Sequence, residues 1–400
     1  MSDRGEDTLV PDPVRAAYAY LGAVTERPTA QLWDLVDAVG AVEAAHRIRA
    51  GQVGDALVSQ TEARRSRVRP DDLLGEAAEV GARLLVPGDP GWPAAALDPL
   101  DRPRRRRGSG RGAVETALRP LGLWWRGPAD PTTVVHRSVA VVGTRAPTPY
   151  GRAVTADVTS GVAAEGFTVV SGGAFGIDAA AHRAVLGAGG TTIAVLAGGV
   201  DRLYPRGNEG LLSAVAESGA VVSDQPPGTG VTRYRFLDRN RLIAALSRAT
   251  VVVEAAARSG ALSTAAWATV LDRPVGAVPG PVTSVASTGC HLLVRDGRAV
   301  LVGRTADVVE LAGDMGETTP PPTGHASSWD DLDDVTRRVL EALPTTGGAV
   351  PAEVAASAGV PPSTARAVLG RLLVDGAVLR GPSGWRRSGH TGRQLTLPVD

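Results

Sequence analysis

The sequence predicts an α/β protein. Its centre is a doubly wound, Rossmann-like parallel sheet, flanked by an N-terminal helical module and a C-terminal winged-helix domain. Three observations carry this. Six short apolar, β-branched runs (139–142, 167–170, 192–196, 220–222, 250–253 and 275–278) alternate with longer Ala-rich segments at 150–164, 177–188, 207–217, 237–247 and 261–271. Runs that are apolar without interruption imply strands buried on both faces, as in a parallel sheet covered by helices. Before residue 80 the apolar positions recur at helical spacing instead, as in Leu32, Leu35, Val36, Val39 and Val42. Near the C-terminus, 327–387 reads helix, short helix, turn, helix, strand, Gly-Pro-Ser-Gly turn, strand, the order of a winged helix-turn-helix.

Composition bounds the class. A chain of 400 residues suggests two or three domains at about 150 residues each. With 43% hydrophobic and 21% charged residues it is globular, and wholesale disorder is excluded. No apolar run approaches the about 18 residues of a membrane span. The N-terminal MSDRGEDTLV is polar and acidic, unlike a secretory signal, so a cytoplasmic protein is expected. Cys290 is the single cysteine and the six histidines are scattered, so no disulfide, metal or cofactor is expected. All 42 basic residues are arginine. Residues 131–305 hold 16 Arg against 11 acids, a net +5 that points to an anionic partner.

In chain order, 1–80 reads as the helical module and 81–137 as a connecting segment with an Arg-rich insertion at 101–119. Within it, DRPRRRRGSGRG (101–112) is a solvated loop or a phosphate contact. The core spans 138–305. A Pro- and Gly-rich linker follows at 306–326, and the winged helix occupies 327–390, with Ser363 as the cap of its second long helix.

Ligands of open α/β sheets bind at the carboxyl ends of the strands, so the loops there carry the chemistry. The first is Gly143-Thr144-Arg145, which offers close backbone approach, a hydroxyl and a planar guanidinium suited to phosphate. The second is SGGAFGID (171–178). Its Ser171, Gly172, Gly173 and Gly176 before a helix suggest an anion nest. Asp178 and His182 are expected to support that loop rather than to exchange protons. Without a lysine there is no P-loop. In a third loop, Tyr204 and Pro205 stack on a ligand or shape the turn. The segment Tyr234-Arg235-Phe236-Leu237-Asp238-Arg239-Asn240-Arg241 interleaves arginines with rings, as single-stranded nucleic acid demands. The competing reading packs Phe236 inside and pairs the arginines with Asp238. A last loop presents Glu254, Ser259, Gly260 and Thr264; Ser259 and Gly260 can take an anion and Glu254 is expected to be structural.

Together these residues resemble the DNA-processing protein A (DprA/Smf) family. Gly143-Thr144-Arg145, SGGAFGID with His182, Asp201…Tyr204-Pro205…Asn208, RNR (239–241), VVEAAARSGALSTA (252–265) and VPG (278–280) with Gly289 come in that family's order and spacing. The resemblance implies single-stranded DNA binding, loading of the RecA recombinase during natural transformation, and a homodimer. It also implies that Arg145, Gly172, Gly173, Arg239 and Arg241 line the DNA groove. Phe175 stands where the family often has a basic residue, and the family's groove lysines are missing. Arg206, Arg233 or Arg235 would then supply charge, and Phe175 or Tyr234 would stack under bases.

Two other classes are open. One is a nucleotide-sugar hydrolase of the lysine-decarboxylase-like type. Its essential glutamate is replaced here by alanines at 265 and 266, which leaves only Glu254 nearby. A non-enzyme is therefore expected. The other is a winged-helix regulator, although the second helix of that domain offers only Arg366 and Arg371 for a major groove.

Overall fold

A computed structural model describes residues 12–101, 118–314, 332–374 and 376–388. Most of the expected 101–119 insertion lies outside these. The chain divides into two compact units, Met1–Thr319 and Pro320–Asp400.

The first unit opens with four helices, α1 (Pro13–Val24), α2 (Ala30–Ala50), α3 (Asp55–Thr61) and α4 (Pro70–Glu79). Asp12 and Thr29 cap α1 and α2 by accepting from Val14 N and Leu32 N. Their apolar stripes bury Tyr20, Leu21, Leu32 and Ile48. The next segment is more than a connection. It contributes strand β1 (Ala82–Leu85), α5 (Ala94–Leu97), β2 (Leu123–Arg126) and α6 (Pro131–His136). Trp124 and Trp125 on β2 point to opposite faces. Trp124 joins the cluster under the helical module, and Trp125 joins the cluster on the other side.

The core then alternates: β3 (Ser138–Val142), α7 (Pro149–Ala164), β4 (Thr168–Ser171), α8 (Ile177–Gly187), β5 (Thr192–Val195), α9 (Glu209–Ser218), β6 (Ala220–Ser223), α10 (Arg233–Ala245), β7 (Ala249–Val252), α11 (Ala261–Val270), β8 (Val275–Ala277), α12 (Thr288–Arg295), β9 (Val300–Leu301) and α13 (Thr305–Ala312). One nine-stranded sheet results, in the order β1-β2-β6-β5-β4-β3-β7-β8-β9. Strands β3 to β9 run parallel, and β2 and β1 add antiparallel at one edge.

Double-sided burial explains the uninterrupted apolar strands. Val139 and Val141 face the cluster of α7, α8 and α13, whereas Ala140 and Val142 face that of α10 and α11. The linker expected from 306 begins later, because Val308, Val309 and Ala312 are buried and hold α13 on the sheet.

In the second unit α14 (Asp334–Glu341), α15 (Pro351–Ala358) and α16 (Pro362–Val374) precede an antiparallel hairpin of β10 (Val378–Gly381) and β11 (Gly384–Arg387). Val339, Leu340, Leu369 and Val378 form its own small core. Gly359, with φ 62°, ends α15, and Ser363 falls inside the first turn of α16 rather than before it.

The connection after β3 crosses towards β4, while the one after β7 crosses the other way, towards β8. This makes the gap between the carboxyl ends of β3 and β7 the topological switch point, where a crevice opens.

Candidate nucleic-acid interface

Two loops wall this crevice. After β3, Thr144 N donates to Glu254 O at 2.7 Å, tying the loop to the one after β7. The buried Glu254 carboxylate accepts from Thr148 N at 2.9 Å and Thr148 Oγ1 at 2.6 Å. Thr148 in turn caps α7 through Gly151 N. Glu254 is thus a fastener between the loops, with both oxygens engaged.

The glycine loop is built around an internal anion. Asp178 Oδ2 accepts from Gly172 N at 3.1 Å and Ala174 N at 3.3 Å, so the expected nest is filled by the chain's own carboxylate. Burial raises the Asp178 pKa, opposed by Arg239 and the two amides. Arg239 reaches in from α10 and donates to Gly172 O at 2.8 Å and to Val195 O. Its burial lowers the guanidinium to about 10. Gly172 is wedged between the two charges. A Cβ there would lie 2.5 Å from Arg239 Nη2 and 2.7 Å from Asp178 Oδ2. Gly176 has φ 87°, and a Cβ on it would strike Thr144 O. Asn208 Nδ2 donates to Gly173 O, and Ser171 Oγ to Val141 O.

Behind the loop, Thr192 Oγ1 donates to Val169 O at 2.8 Å. It therefore accepts from His182 Nδ1 at 2.7 Å, which fixes the tautomer. Burial, with Arg239 nearby, lowers His182 to about 3, so the ring is neutral near pH 7. His182 lies outside the cleft lining, and Asp178 borders the cleft with Oδ2 held by the two loop amides. Both brace the loop.

Helix α10 is capped by Thr232, which accepts from Arg235 N at 3.2 Å. The arginines expected to face DNA divide sharply. Arg241 has a side chain 3% exposed and donates to Asp224 Oδ2 at 2.5 Å. Asp238 bridges Arg241 and Arg27, and these cations outweigh the burial that would raise its pKa, leaving it lowered. Arg235 grips Glu26 through Nε at 2.9 Å and Nη2 at 3.0 Å. Asn240 Nδ2 donates to Gly260 O at 3.3 Å. Pairing with Asp238, one of the two readings of this segment, is what Arg241 does. Arg241 lies behind the wall, whereas Arg239, buried on the carbonyls of Gly172 and Val195, still borders the cleft and braces it from within.

Arg145 is different. It is exposed, and its guanidinium sits 5.1 Å from the Phe236 ring centre. Phe236 in turn packs tilted on Tyr204 at 5.9 Å. These groups open onto a cleft of about 720 Å³ that Gly143, Arg233, Arg258, Ser259 and Gly260 also line. Arg145, Arg233 and Arg258 are all exposed, and none forms an ion pair with a described residue. Thr144 Oγ1 and Ser259 Oγ each accept a neighbouring amide of their own loop. Phe175 is half exposed and packs on Gly207, outside the cleft lining. Sequence reading missed Arg258. Its signal was position, in the loop after β7 at the switch point.

The fold and this cleft define a Rossmann-like protein with an arginine-lined crevice at its switch point. Residues 87–313 match the family described as DNA recombination-mediator protein A, and the chain belongs to that family. It is 48% identical over 375 residues to a Mycobacterium tuberculosis (strain H37Rv) protein provisionally named DNA processing protein DprA, covering 94% of this chain and 95% of that one. It is 36% identical over 261 residues to protein Smf of Escherichia coli, covering 64% and 70%. The crystal structure of DNA processing protein A from Streptococcus pneumoniae superposes with a TM-score of 0.60 at 28% identity, covering 76% of this chain and 99% of that one.

Proposed function

We propose that the chain is a cytoplasmic, non-catalytic mediator that holds single-stranded DNA in the switch-point cleft. By its family resemblance it acts as a homodimer and hands the strand to the RecA recombinase during natural transformation. The observation that carries the DNA reading is the trio Arg145, Arg233 and Arg258, exposed and without an ion pair to any described residue, around a cleft that also shows Phe236 and Tyr204. Gathered like charges repel one another until an anion fills the space between them. Phosphates supply that anion repeatedly along a strand, and unpaired bases can turn onto the rings, which bases within a duplex cannot do.

The absence of catalysis is supported by the carboxylates beside the cleft. Glu254 has both oxygens engaged by Thr148, and Asp178, which borders the cleft, holds two loop amides through Oδ2, so each carboxylate already has a structural task. A duplex reader in the second unit has only Arg366 and Arg371 on α16 to draw on, and Arg371 shares an exposed ion pair with Asp333 at 3.1 Å.

The test is fluorescence anisotropy of labelled oligothymidylate and matched duplex across a salt series. The wild type is compared with the triple variant Arg145→Ala/Arg233→Ala/Arg258→Ala. Single-strand preference is expected, with the salt slope reduced by about 0.7 for each arginine removed. Unchanged binding by the folded triple variant would overturn the cleft reading. Delivery is tested by RecA strand exchange on DNA coated with single-strand-binding protein, where the triple variant should fail to stimulate.

A further inference from the structure

The loop between α1 and α2 places Glu26 between two arginines from different parts of the molecule. Its carboxylate takes Arg235 Nε at 2.9 Å and Nη2 at 3.0 Å, and Arg64 Nη2 at 2.8 Å. Two guanidinium groups converging on one carboxylate form a site whose donors suit a phosphate oxygen pair equally well. The Glu26 side chain is 42% exposed and open to a competing anion, whereas Arg235 is 17% exposed and is held in position by a further bond from Nη1 to Gly230 O at 2.6 Å. A few residues away, the better buried Asp238 holds Arg27. The loop therefore keeps an anchor if Glu26 swings aside.

The surroundings continue the charge in both directions. Arg233, which lines the cleft, shares the first turn of α10 with Arg235. On the other side, a tight turn after α3, with Arg67 N donating to Arg64 O at 2.9 Å, carries Arg67 and then Arg69. Both are exposed and lack an ion pair with any described residue.

Building on the single-stranded DNA reading, we propose that the strand leaves the cleft over the first turn of α10 and runs onto the N-terminal module. There Arg64 and Arg235 form a second phosphate seat, which Glu26 fills in the free protein. Glu26 acts as a placeholder that a backbone phosphate displaces, and Arg67 and Arg69 extend the track beyond it.

The test uses the full chain, with oligothymidylates of about six and about 20 nucleotides, short enough to occupy the cleft alone and long enough to reach the module. Glu26→Gln removes the competing charge. It is expected to bind the long strand about three- to tenfold tighter, with a salt slope steeper by about 1.4 for the two freed arginines, and to bind the short strand as the wild type does. Adding Arg64→Ala should cut the slope gain to about 0.7, leaving only Arg235 freed. Glu62→Gln is the control, because it removes one exposed charge from the same module that pairs with no described arginine. Wild-type affinity of Glu26→Gln for the long strand, or an equal gain from Glu62→Gln, would overturn the proposal. A triple cleft variant that still binds the short strand would instead overturn the cleft reading, and this seat with it.

Discussion

Replacing Arg239 by alanine separates bracing from binding. In the structure the guanidinium is buried, donates to Gly172 O and Val195 O, and lies beside the buried Asp178. Its loss leaves two interior carbonyls short of a donor, at about 1–3 kcal/mol each if water cannot reach them. It also strips an interior carboxylate of its cation, a change that typically destabilises by about 3–5 kcal/mol in total. Against a usual stability of about 5–15 kcal/mol this is a large fraction. Asp178, already raised by burial, is raised further, so the deficit should widen as pH climbs above the ordinary carboxylate range. Urea unfolding followed by circular dichroism, beside anisotropy on oligothymidylate, reads both effects. We expect a much lower midpoint, with DNA affinity lost along with the loop. A variant with the wild-type midpoint and no DNA binding would show that Arg239 grips phosphate directly, and the bracing argument would be wrong.

Other outcomes follow from the same geometry. Arg145→Ala should leave stability within about 0.5 kcal/mol and lower the salt slope of DNA binding, since its side chain is exposed and forms no ion pair with a described residue; a large drop in melting temperature would contradict this. His182 has its folded pKa lowered to about 3, against an ordinary 6.5. Its contribution is therefore complete above pH 6.5 and lost as pH falls, by about 1.4 kcal/mol per unit. His182→Asn should flatten that dependence in urea titrations at stepped pH, and an unchanged slope would refute it. Gly176→Ala should destabilise by about 1–3 kcal/mol and loosen DNA binding, because its φ of 87° and its contact with Thr144 O leave no room for a methyl. Wild-type melting of that variant would refute the packing claim.

The six core strands were legible because burial on both faces leaves no polar position to obscure the pattern, and β3 to β8 start and stop within a residue or two of the apolar runs. The edge strands were not. β1, with Arg83 facing out, and β9, only two residues long, carry too little pattern. Helix α10 begins earlier than its apolar stretch because Thr232 caps a turn of arginines and rings that hydropathy alone reads as loop. The loops of the site were legible from their glycines, but the roles of the arginines were not. Charge type says nothing about which guanidinium meets a carboxylate from far along the chain, as Arg235 meets Glu26 and Arg241 meets Asp224. Arg145 and Arg258 are exposed and have no such neighbour among the described residues.

The carboxylate of Asp178 inside the glycine loop has a kinetic consequence. Loops that fold around an incoming phosphate must pay their ordering entropy at the moment of capture, which slows association. Here that step is complete before any strand arrives, because Asp178 already holds the amides of Gly172 and Ala174 in place. Encounter should then be a single bimolecular event whose rate rises linearly with DNA concentration, without a plateau, and falls with ionic strength. The cleft would take up DNA as fast as its arginines can steer a strand into it.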